Sequence, residues 1–262
     1  MKAKSNGIEI NYEVAGDGPW LTLSHSLCCD LHMWDEQMPA LTKKFKVLRF
    51  DTRGHGASSA PAGAYTLEQM ADDVHGLFTA LGIKQTHWCG LSMGGMIGQT
   101  FAIKYPGIFK TMVLADTTSY YPPEAQSAWG DRIKLAETKG MEPFGEMMVS
   151  RWFTEAYVKS GAPALTRIAA SVRATKAAGF IGCCHAIPKI NVTARLKEIK
   201  CPTLVIVGEQ DPGTPVAMAR EIHDNLPGSE LVILPNAAHL SNVEQTQAFD
   251  AALLDFIARH GQ

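Results

Sequence analysis

The stretch Gly90-Leu91-Ser92-Met93-Gly94-Gly95 follows the short run His87-Trp88-Cys89 and precedes a segment whose apolar residues recur at helical spacing. This order predicts a strand, a sharp turn and a helix, with Ser92 at the apex of the turn. Gly90 and Gly94 flank the serine at positions where a side chain would collide as the backbone reverses. The pattern G-x-S-x-G is typical of a nucleophile elbow, although a glycine-rich turn without chemistry has the same composition.

The bulk properties of the chain fit an enzyme that acts on a small molecule. Its 262 residues suit one large α/β domain, and 46% hydrophobic residues supply a sizeable core. A net charge of −2 gives no basic surface for nucleic acid or an anionic membrane. Because no apolar run approaches the roughly 20 residues that span a bilayer, and the first residues are polar, we expect a cytoplasmic protein. The oligomeric state is left open.

Short β-rich runs alternate with longer segments of helical spacing, the pattern of a mostly parallel, twisted sheet flanked by helices. An opening hairpin turns at Asn6-Gly7. Further strands are predicted at residues 21–24, 45–50, 86–89, 111–115, 203–207 and 231–234. Helical patterns lie at about 67–81, 95–105, 215–225 and 244–259. The sequence therefore predicts an α/β fold.

Residues 118–197 break this alternation, because they contain several helix-like pieces rich in Met and aromatic residues and no clear strand. A helical insertion between two parallel strands is expected to cover the carboxyl edge of the sheet, where open α/β sheets bind ligands. We therefore expect a core domain of residues 1–117 and 198–262 and a helical cap of residues 118–197.

Catalysis by a serine needs a base that takes its proton and an anion that orients the base. Asp211 follows the predicted strand 203–207, and His239 follows the strand 231–234. The order serine, acid, histidine is the one expected after a G-x-S-x-G elbow. Asp116 also ends a predicted strand and is the alternative acid. We favour Asp211 because its strand immediately precedes the histidine loop.

His25 and His55 also lie near predicted strand ends and are the alternative bases. His239 is favoured over both because its loop joins the last strand to the last helix, one strand after the favoured acid.

A developing oxyanion needs two backbone donors. Met93 follows the serine at the start of a helix and supplies the first. The second is expected in the loop His25-Ser26-Leu27-Cys28-Cys29, where Leu27 would donate if His25-Ser26 takes the place of the usual His-Gly pair. Cys28 and Cys29 would then line the pocket as small apolar groups.

Two vicinal cysteine pairs, Cys28-Cys29 and Cys183-Cys184, lie close in sequence to histidines. Neither pair has the C-x₂₋₄-C spacing with which two thiolates bind one tetrahedral ion. We expect no metal site and no cofactor.

Together these motifs resemble the α/β-hydrolase family over essentially the whole chain. The turn at residues 51–58, Asp-Thr-Arg-Gly-His-Gly-Ala-Ser, is similar to the D-x-R-G-x-G-x-S turn of that family, which serves architecture. Within the family, the chain resembles 3-oxoadipate enol-lactonases of aromatic degradation at residues 26–27, 30–34, 90–95, 150–154, 182–184 and 239–244. It departs from them at Cys28-Cys29.

The resemblance implies a serine hydrolase that cleaves a small ester or enol-lactone through an acyl-enzyme, with Ser92, Asp211 and His239 as the triad and Leu27 and Met93 as the oxyanion hole. Rival functions are a broad carboxylesterase, a C–C hydrolase or perhydrolase with the same triad, and a non-catalytic receptor for a small ligand.

The substrate pocket is expected to draw on the first loop, the cap and the histidine loop, at Cys28, Cys29, Trp129, Trp152, His185 and Leu240. A small anionic substrate also needs a cation or several donors. The candidates in the cap are Arg132, Arg151, Arg173, Lys176 and His185.

Overall fold

A computed structural model describes residues 1–261, and these residues form one eight-stranded sheet. The strands are β1 (Lys2–Ser5), β2 (Ile8–Ala15), β3 (Trp20–Ser24), β4 (Lys46–Phe50), β5 (Thr86–Leu91), β6 (Phe109–Ala115), β7 (Thr203–Gly208) and β8 (Glu230–Leu234). Their spatial order is β1-β2-β4-β3-β5-β6-β7-β8. The β1–β2 and β2–β4 pairs are antiparallel and the other pairs are parallel. The predicted α/β class and mostly parallel sheet are confirmed.

Helices cover the sheet and fill the long connection between β6 and β7. The α-helices are α1 (Met38–Leu41), α2 (Leu67–Leu81), α3 (Met93–Lys104), α4 (Gln126–Lys139), α5 (Phe144–Trp152), α6 (Glu155–Ser160), α7 (Pro163–Ala174), α8 (Ala177–Ala186), α9 (Val216–Asn225), α10 (Ser241–Glu244) and α11 (Thr246–His260). Short 3₁₀ helices lie at Leu31–Trp34, Pro123–Ala125, Ile187–Lys189 and Thr193–Glu198. None of the helices in the described chain is long and apolar enough to cross a membrane.

The last predicted helix, at about 244–259, corresponds to α11, and the short helix α10 precedes it. Gln245 separates them with φ −123° and ψ 51°, values outside the helical region. The hydrophobic stripe that predicted one helix belongs to α11, where Phe249, Leu253 and Phe256 are buried.

Local sequence explains several of the element boundaries. Asn6 and Gly7 have φ +46° and φ +79°, the left-handed pair that a two-residue hairpin requires. Helix α2 begins after Thr66, whose hydroxyl accepts the Gln69 N–H at 3.0 Å, and ends at Gly82 with φ +67°. The predicted hairpin and α2 are therefore confirmed.

The central strands are buried on both faces and read as continuous apolar runs. Leu23 in β3, Val113 in β6 and Ile206 in β7 have 0% exposure. Strands of this kind occur where helices cover both faces of a parallel sheet. Five parallel strands have their carboxyl ends at the same edge of the sheet, namely β3, β5, β6, β7 and β8. The loops that follow these strands therefore converge at that edge.

The helical segment, residues 118–197, leaves and rejoins the sheet at neighbouring points. Tyr120 and Asn191 form an isolated antiparallel bridge at its base, and the Val192 N–H donates to the Ser119 carbonyl at 2.9 Å. The segment therefore starts and ends beside the converging loops, between β6 and β7.

We expect Gly94→Ala in α3 to lower the free energy of unfolding by about 1–3 kcal/mol, because the added methyl group has no room. A Cβ on Gly94 would lie 2.2 Å from the Ser24 carbonyl oxygen. Gly130→Ala in α4 is the matched control, since nothing lies within 4 Å of a Cβ there. The control should leave stability unchanged or raise it by about 0.5–1 kcal/mol. Urea unfolding compares the two variants, and equal effects would contradict the argument.

Candidate active site

Ser92 lies between β5 and α3 with φ +55° and ψ −113°, values that a residue with a side chain rarely adopts. Its N–H donates to the Ala115 carbonyl at 2.8 Å. Its carbonyl accepts the Thr117 hydroxyl at 2.7 Å and the N–H groups of Gly95 and Met96 at 2.9 and 3.1 Å. These four hydrogen bonds hold the backbone of the turn.

The glycines on both sides of Ser92 are required by backbone contacts. A Cβ on Gly90 would lie 2.2 Å from the Gly94 carbonyl oxygen, and one on Gly94 would lie equally close to the Ser24 carbonyl oxygen, also at 2.2 Å. The close approach of strand, turn and helix leaves no space for either methyl group. The G-x-S-x-G pattern thus has a steric cause in this chain.

His239 follows β8 and faces Asp211, which follows β7. The imidazole Nδ1 lies 2.8 Å from Asp211 Oδ2, and the two residues are only 5% and 4% exposed. Because an ionised carboxylate can only accept, Nδ1 carries the hydrogen and Nε2 keeps a free lone pair. This tautomer is the one that can take a proton from a nearby hydroxyl.

The Asp211 carboxylate is held by its own loop. Oδ1 accepts the N–H groups of Gly213 and Thr214 at 2.7 and 3.1 Å, and Oδ2 accepts the Thr214 hydroxyl at 2.7 Å. Burial alone raises the pKa of Asp211, but His239 and these hydrogen bonds outweigh burial and lower the pKa below its usual value. Asp211 is therefore ionised at neutral pH.

Ser92 and His239 border the same cavity, with Trp152 packed against the imidazole at a ring-centroid distance of 6.1 Å. Within residues 1–261 no hydrogen bond joins the Ser92 hydroxyl to His239. Such bonds are often long until a substrate binds. A hydroxyl and a base that border one cavity, with an acid that orients the base, are the groups that nucleophilic catalysis needs.

Asp116, the alternative acid, is fully buried at the end of β6 with φ +44°. Its Oδ1 accepts the Gly208 N–H at 2.8 Å, and its Oδ2 is hydrogen-bonded to the Ser241 hydroxyl. Burial raises the pKa of Asp116 well above its usual value, and the charge of Asp211 raises it further. In the structure, Asp211 contacts the imidazole, whereas Asp116 is hydrogen-bonded to Gly208 and Ser241.

Leu27 and Met93, the expected oxyanion donors, lie beside the nucleophile. Leu27 lines the cavity, and Met93 is the first residue of α3. Their backbone N–H groups make no hydrogen bond within residues 1–261. Met93 also lies at a helix N-terminus, where the partial positive charge favours an anion.

The cavity has a volume of about 230 Å³ and lies between the sheet loops and the helical segment. Its apolar lining includes Leu27, Met96, Trp129, Met148, Trp152 and Ile187. Its polar lining includes Ser26, Ser92, Tyr121, Arg132, Arg151 and His239. This volume is below the ~300–1,000 Å³ of drug-sized ligand sites, so the cavity suits a molecule of few atoms.

Trp129 and Trp152 lie where the sequence places them, whereas Cys28, Cys29 and Leu240 do not line the cavity. These three residues have 0–1% exposure and belong to the packed core. Cys28 has φ +62°, so the chain turns at this residue, immediately after Leu27 leaves the cavity wall.

His185 is the fourth predicted pocket residue that does not line the cavity, and it is half-buried in α8. Two other cation candidates have partners elsewhere. Arg173 Nε lies 3.1 Å from Glu142, and Lys176 donates to the Ser58 carbonyl at 3.0 Å. These side chains hold the helical segment together or attach it to the core.

Arg132 and Arg151 are the cation candidates that line the cavity. The Arg132 guanidinium lies 4.4 Å from the centroid of the Trp129 ring, and neither arginine takes part in an ion pair of residues 1–261. Burial lowers the pKa of Arg132, and the like charge of Arg151 lowers it further. An anion bound beside the two guanidinium groups would offset both effects.

Glu244 is a site residue whose role the sequence did not reveal. Its carboxylate accepts the Ala238 N–H at 2.9 Å and the Thr154 N–H at 3.2 Å. It therefore joins the histidine loop to the helical segment next to Trp152. The only sequence signal was its place at the end of the His239–Glu244 stretch.

No group of three or more His, Cys, Asp or Glu side chains in the described chain is arranged to hold a metal ion.

We expect Asp116→Asn to keep the fold and the activity, because asparagine reproduces the hydrogen bonds of a protonated carboxyl group. The folded pKa of Asp116 is raised, so the wild type loses stability relative to the variant as pH rises above the unfolded pKa of about 3.9. Thermal unfolding at pH 5 and pH 8 should show a Tm difference that moves in favour of the variant at pH 8.

The matched variant is Asp211→Asn, which should lower kcat for an aryl ester by roughly 10³–10⁴-fold, because the imidazole loses the anion that orients it. If Asp116→Asn instead shows the large loss and Asp211→Asn does not, the acid assignment is reversed.

Comparisons with known proteins agree with this geometry. The model of the α/β hydrolase fold family matches residues 19–246. The chain is 38% identical to 3-oxoadipate enol-lactonase 2 of Acinetobacter baylyi, over 94% of this chain and 92% of that protein.

Solved structures give the same result. The enol-lactonase of Burkholderia xenovorans LB400 superposes with a TM-score of 0.94 at 37% identity, covering 98% of this chain and 100% of that one. A thermophilic esterase of Thermogutta terrifontis, solved with malate bound, has a TM-score of 0.94 at 28% identity and 99% coverage of both chains. The chain therefore belongs to the α/β-hydrolase family.

Proposed function

We propose that the protein is a serine hydrolase that opens a small enol-lactone bearing a carboxylate, as the enol-lactonases similar to it are named for doing. The observation that carries the proposal is the content of one cavity of about 230 Å³. It contains the Ser92 elbow, the His239 imidazole oriented by Asp211, and the Arg132 and Arg151 guanidinium groups.

In the first half-reaction, Ser92 Oγ attacks the lactone carbonyl carbon while His239 Nε2 takes the hydroxyl proton. The carbonyl oxygen becomes an oxyanion, which accepts hydrogen bonds from the N–H groups of Leu27 and Met93. Asp211 stabilises the imidazolium that results. Collapse of the tetrahedral intermediate breaks the ring C–O bond, and the enolate oxygen takes the proton from Nε2.

In the second half-reaction, a water oxygen replaces Ser92 Oγ on the acyl carbon. His239 Nε2 takes a proton from the water as its oxygen attacks the acyl carbon, and the same proton then returns to Ser92 Oγ as that bond breaks. The product is an acid whose enol tautomerises to a ketone. No step in this sequence uses a cofactor.

The arginines favour a substrate that carries an acid group in addition to the reacting carbonyl. The half-buried guanidinium of Arg132 can bind a carboxylate through charge-assisted hydrogen bonds, whereas the more exposed Arg151 also donates to the Pro212 carbonyl at 3.4 Å. Trp129 stacks on Arg132 and restricts the direction in which that cation points. This pairing supports a carboxylate-bearing lactone over a neutral ester.

The helical segment is proposed to act as a cap over the core of residues 1–117 and 198–262. Two of its helices carry the groups on which substrate binding depends, Trp129 and Arg132 on α4 and Arg151 and Trp152 on α5. The link from Thr154 to Glu244 and Ala238 supports a fixed position of α5 over His239.

A carboxylesterase for small acyl groups is the second candidate. The apolar lining of Met96, Met148, Trp152 and Ile187 favours it, because these side chains suit a short alkyl chain as well as a ring. The same triad also serves C–C hydrolases and perhydrolases, which product analysis separates from an esterase.

We expect Ser92→Ala to lower kcat on any ester or lactone substrate by roughly 10⁴–10⁶-fold, because the variant has no nucleophile at the elbow beside His239. Alanine at the same strained φ should leave the unfolding temperature of the protein unchanged. A fluorophosphonate should label the wild type at Ser92, and mass spectrometry checks the site. Retained turnover in a folded Ser92→Ala protein would remove the mechanism.

We expect Arg132→Met to raise KM for a carboxylate-bearing enol-lactone by about tenfold or more, because a charge-assisted hydrogen bond contributes about 1.5–3 kcal/mol. Hydrolysis of a neutral aryl acetate should change little. Arg173→Met is the matched control, since Arg173 pairs with Glu142 away from the cavity lining. The test is steady-state kinetics of both variants on both substrates. An equal rise in KM for the aryl acetate would favour the carboxylesterase.

A further inference from the structure

Two buried histidines that the proposed mechanism does not use lie beside the loop that carries Leu27. His25 and His55 both have 0% exposure, and their ring centroids are 5.1 Å apart. Each ring has a hydrogen bond to the loop and a second one to the turn at residues 52–55.

The partners of each ring determine its tautomer. His25 Nδ1 faces the Ser26 carbonyl at 2.7 Å and must donate, whereas His25 Nε2 accepts the Thr52 N–H at 2.9 Å. His55 Nδ1 donates to the Arg53 carbonyl at 3.1 Å, and His55 Nε2 accepts the Cys28 N–H at 3.0 Å. Both rings therefore act as neutral donor-acceptor bridges.

Burial supports the neutral state of both imidazoles. It lowers the pKa of His25, and together with the neighbouring His25 it lowers the pKa of His55 to about 3. Neither Nε2 acceptor is lost to protonation near neutral pH.

These bonds orient the two peptide planes on either side of Leu27. In a trans peptide the carbonyl and the N–H point in opposite directions. The Ser26 carbonyl is bound by His25 and by the Cys29 N–H at 3.1 Å, so the N–H of Leu27 in the same plane points away from them. The next plane is held through the Cys28 N–H on His55.

We propose that His25 and His55, which we call the histidine clamp, are positioning residues that aim the Leu27 N–H at the oxyanion. The proposal rests on the proposed function, because it assigns a role within that reaction. The clamp also holds Cys28 at φ +62°, a conformation that the loop needs in order to turn after Leu27. Neither histidine lines the cavity, so neither contacts the substrate.

The test replaces each histidine by leucine and measures ground-state and transition-state binding separately. Losing an oxyanion donor costs about 10²–10³-fold in rate, so a donor that is aimed less well should cost about 10–100-fold in kcat, with KM changed by less than about twofold. Affinity for an alkylboronic acid, which forms a tetrahedral adduct on the serine, should fall by the same factor as kcat.

Conservative variants distinguish the loss of a specific hydrogen bond from misfolding of the leucine variants. The asparagine amide nitrogen occupies roughly the place of histidine Nδ1, and the glutamine amide oxygen can occupy roughly that of Nε2. His25→Asn and His55→Gln can therefore keep the bonds to the Ser26 carbonyl and the Cys28 N–H, and they should recover most of the lost kcat and boronate affinity.

His87→Leu is the matched control, because His87 is 1% exposed but lies at the opposite end of β5 from Ser92, bonded to Thr111 at 2.9 Å. It should lose stability without losing boronate affinity. The clamp is overturned if the folded leucine variants keep wild-type kcat, if kcat falls with boronate affinity intact, or if His87→Leu loses as much affinity.

Boronic acid binding by the wild type and by Ser92→Ala tests the proposed function separately from the histidine clamp. The wild type must bind the boronic acid and Ser92→Ala must not. If Ser92→Ala binds it equally well, the proposed function fails. If only Ser92→Ala behaves as expected and the leucine variants bind like wild type, the clamp alone fails.

Discussion

A serine at φ +55° persists only where its surroundings hold it there, and around Ser92 those surroundings are mostly backbone. The Gly94 carbonyl oxygen leaves no room for a Cβ at position 90, and the Ser24 carbonyl oxygen leaves no room for one at position 94. The strain of about 1–3 kcal/mol is offset by four hydrogen bonds to the Ser92 backbone. The same geometry puts the hydroxyl at the carboxyl edge of the sheet and the Met93 N–H beside it.

The electrostatics of the site follow from a difference between two buried carboxyl groups. Asp211 accepts hydrogen bonds from His239, Gly213 and Thr214, and these keep it charged. Asp116 is fully buried and lies near that charge, and both raise its pKa well above the usual value. Environment thus shifts the pKa values of two acids at the ends of adjacent strands in opposite directions, so that Asp211 orients the imidazole and Asp116 joins β7 to the histidine loop.

The helical segment is attached to this edge of the sheet by several contacts. Glu244 connects the histidine loop to Thr154, and the Leu240 N–H donates to the Trp152 carbonyl at 3.1 Å. Helix α8 also approaches the turn at residues 51–58 so closely that a Cβ on Gly179 would lie 2.0 Å from the Gly54 carbonyl oxygen. These contacts hold Trp152 against the imidazole.

The sequence by itself determined the strands, the hairpin, the elbow and the chain order of serine, acid and histidine. Each depends on local periodicity, on turn chemistry or on the rule that parallel strands end at one edge. Tertiary structure alone decided that Arg132 and Arg151 face the cavity while Arg173 does not, and that Cys28 and Leu240 belong to the core. The orientation of a side chain on a loop or a cap helix depends on contacts between residues far apart in sequence, and these leave no periodic pattern in the chain.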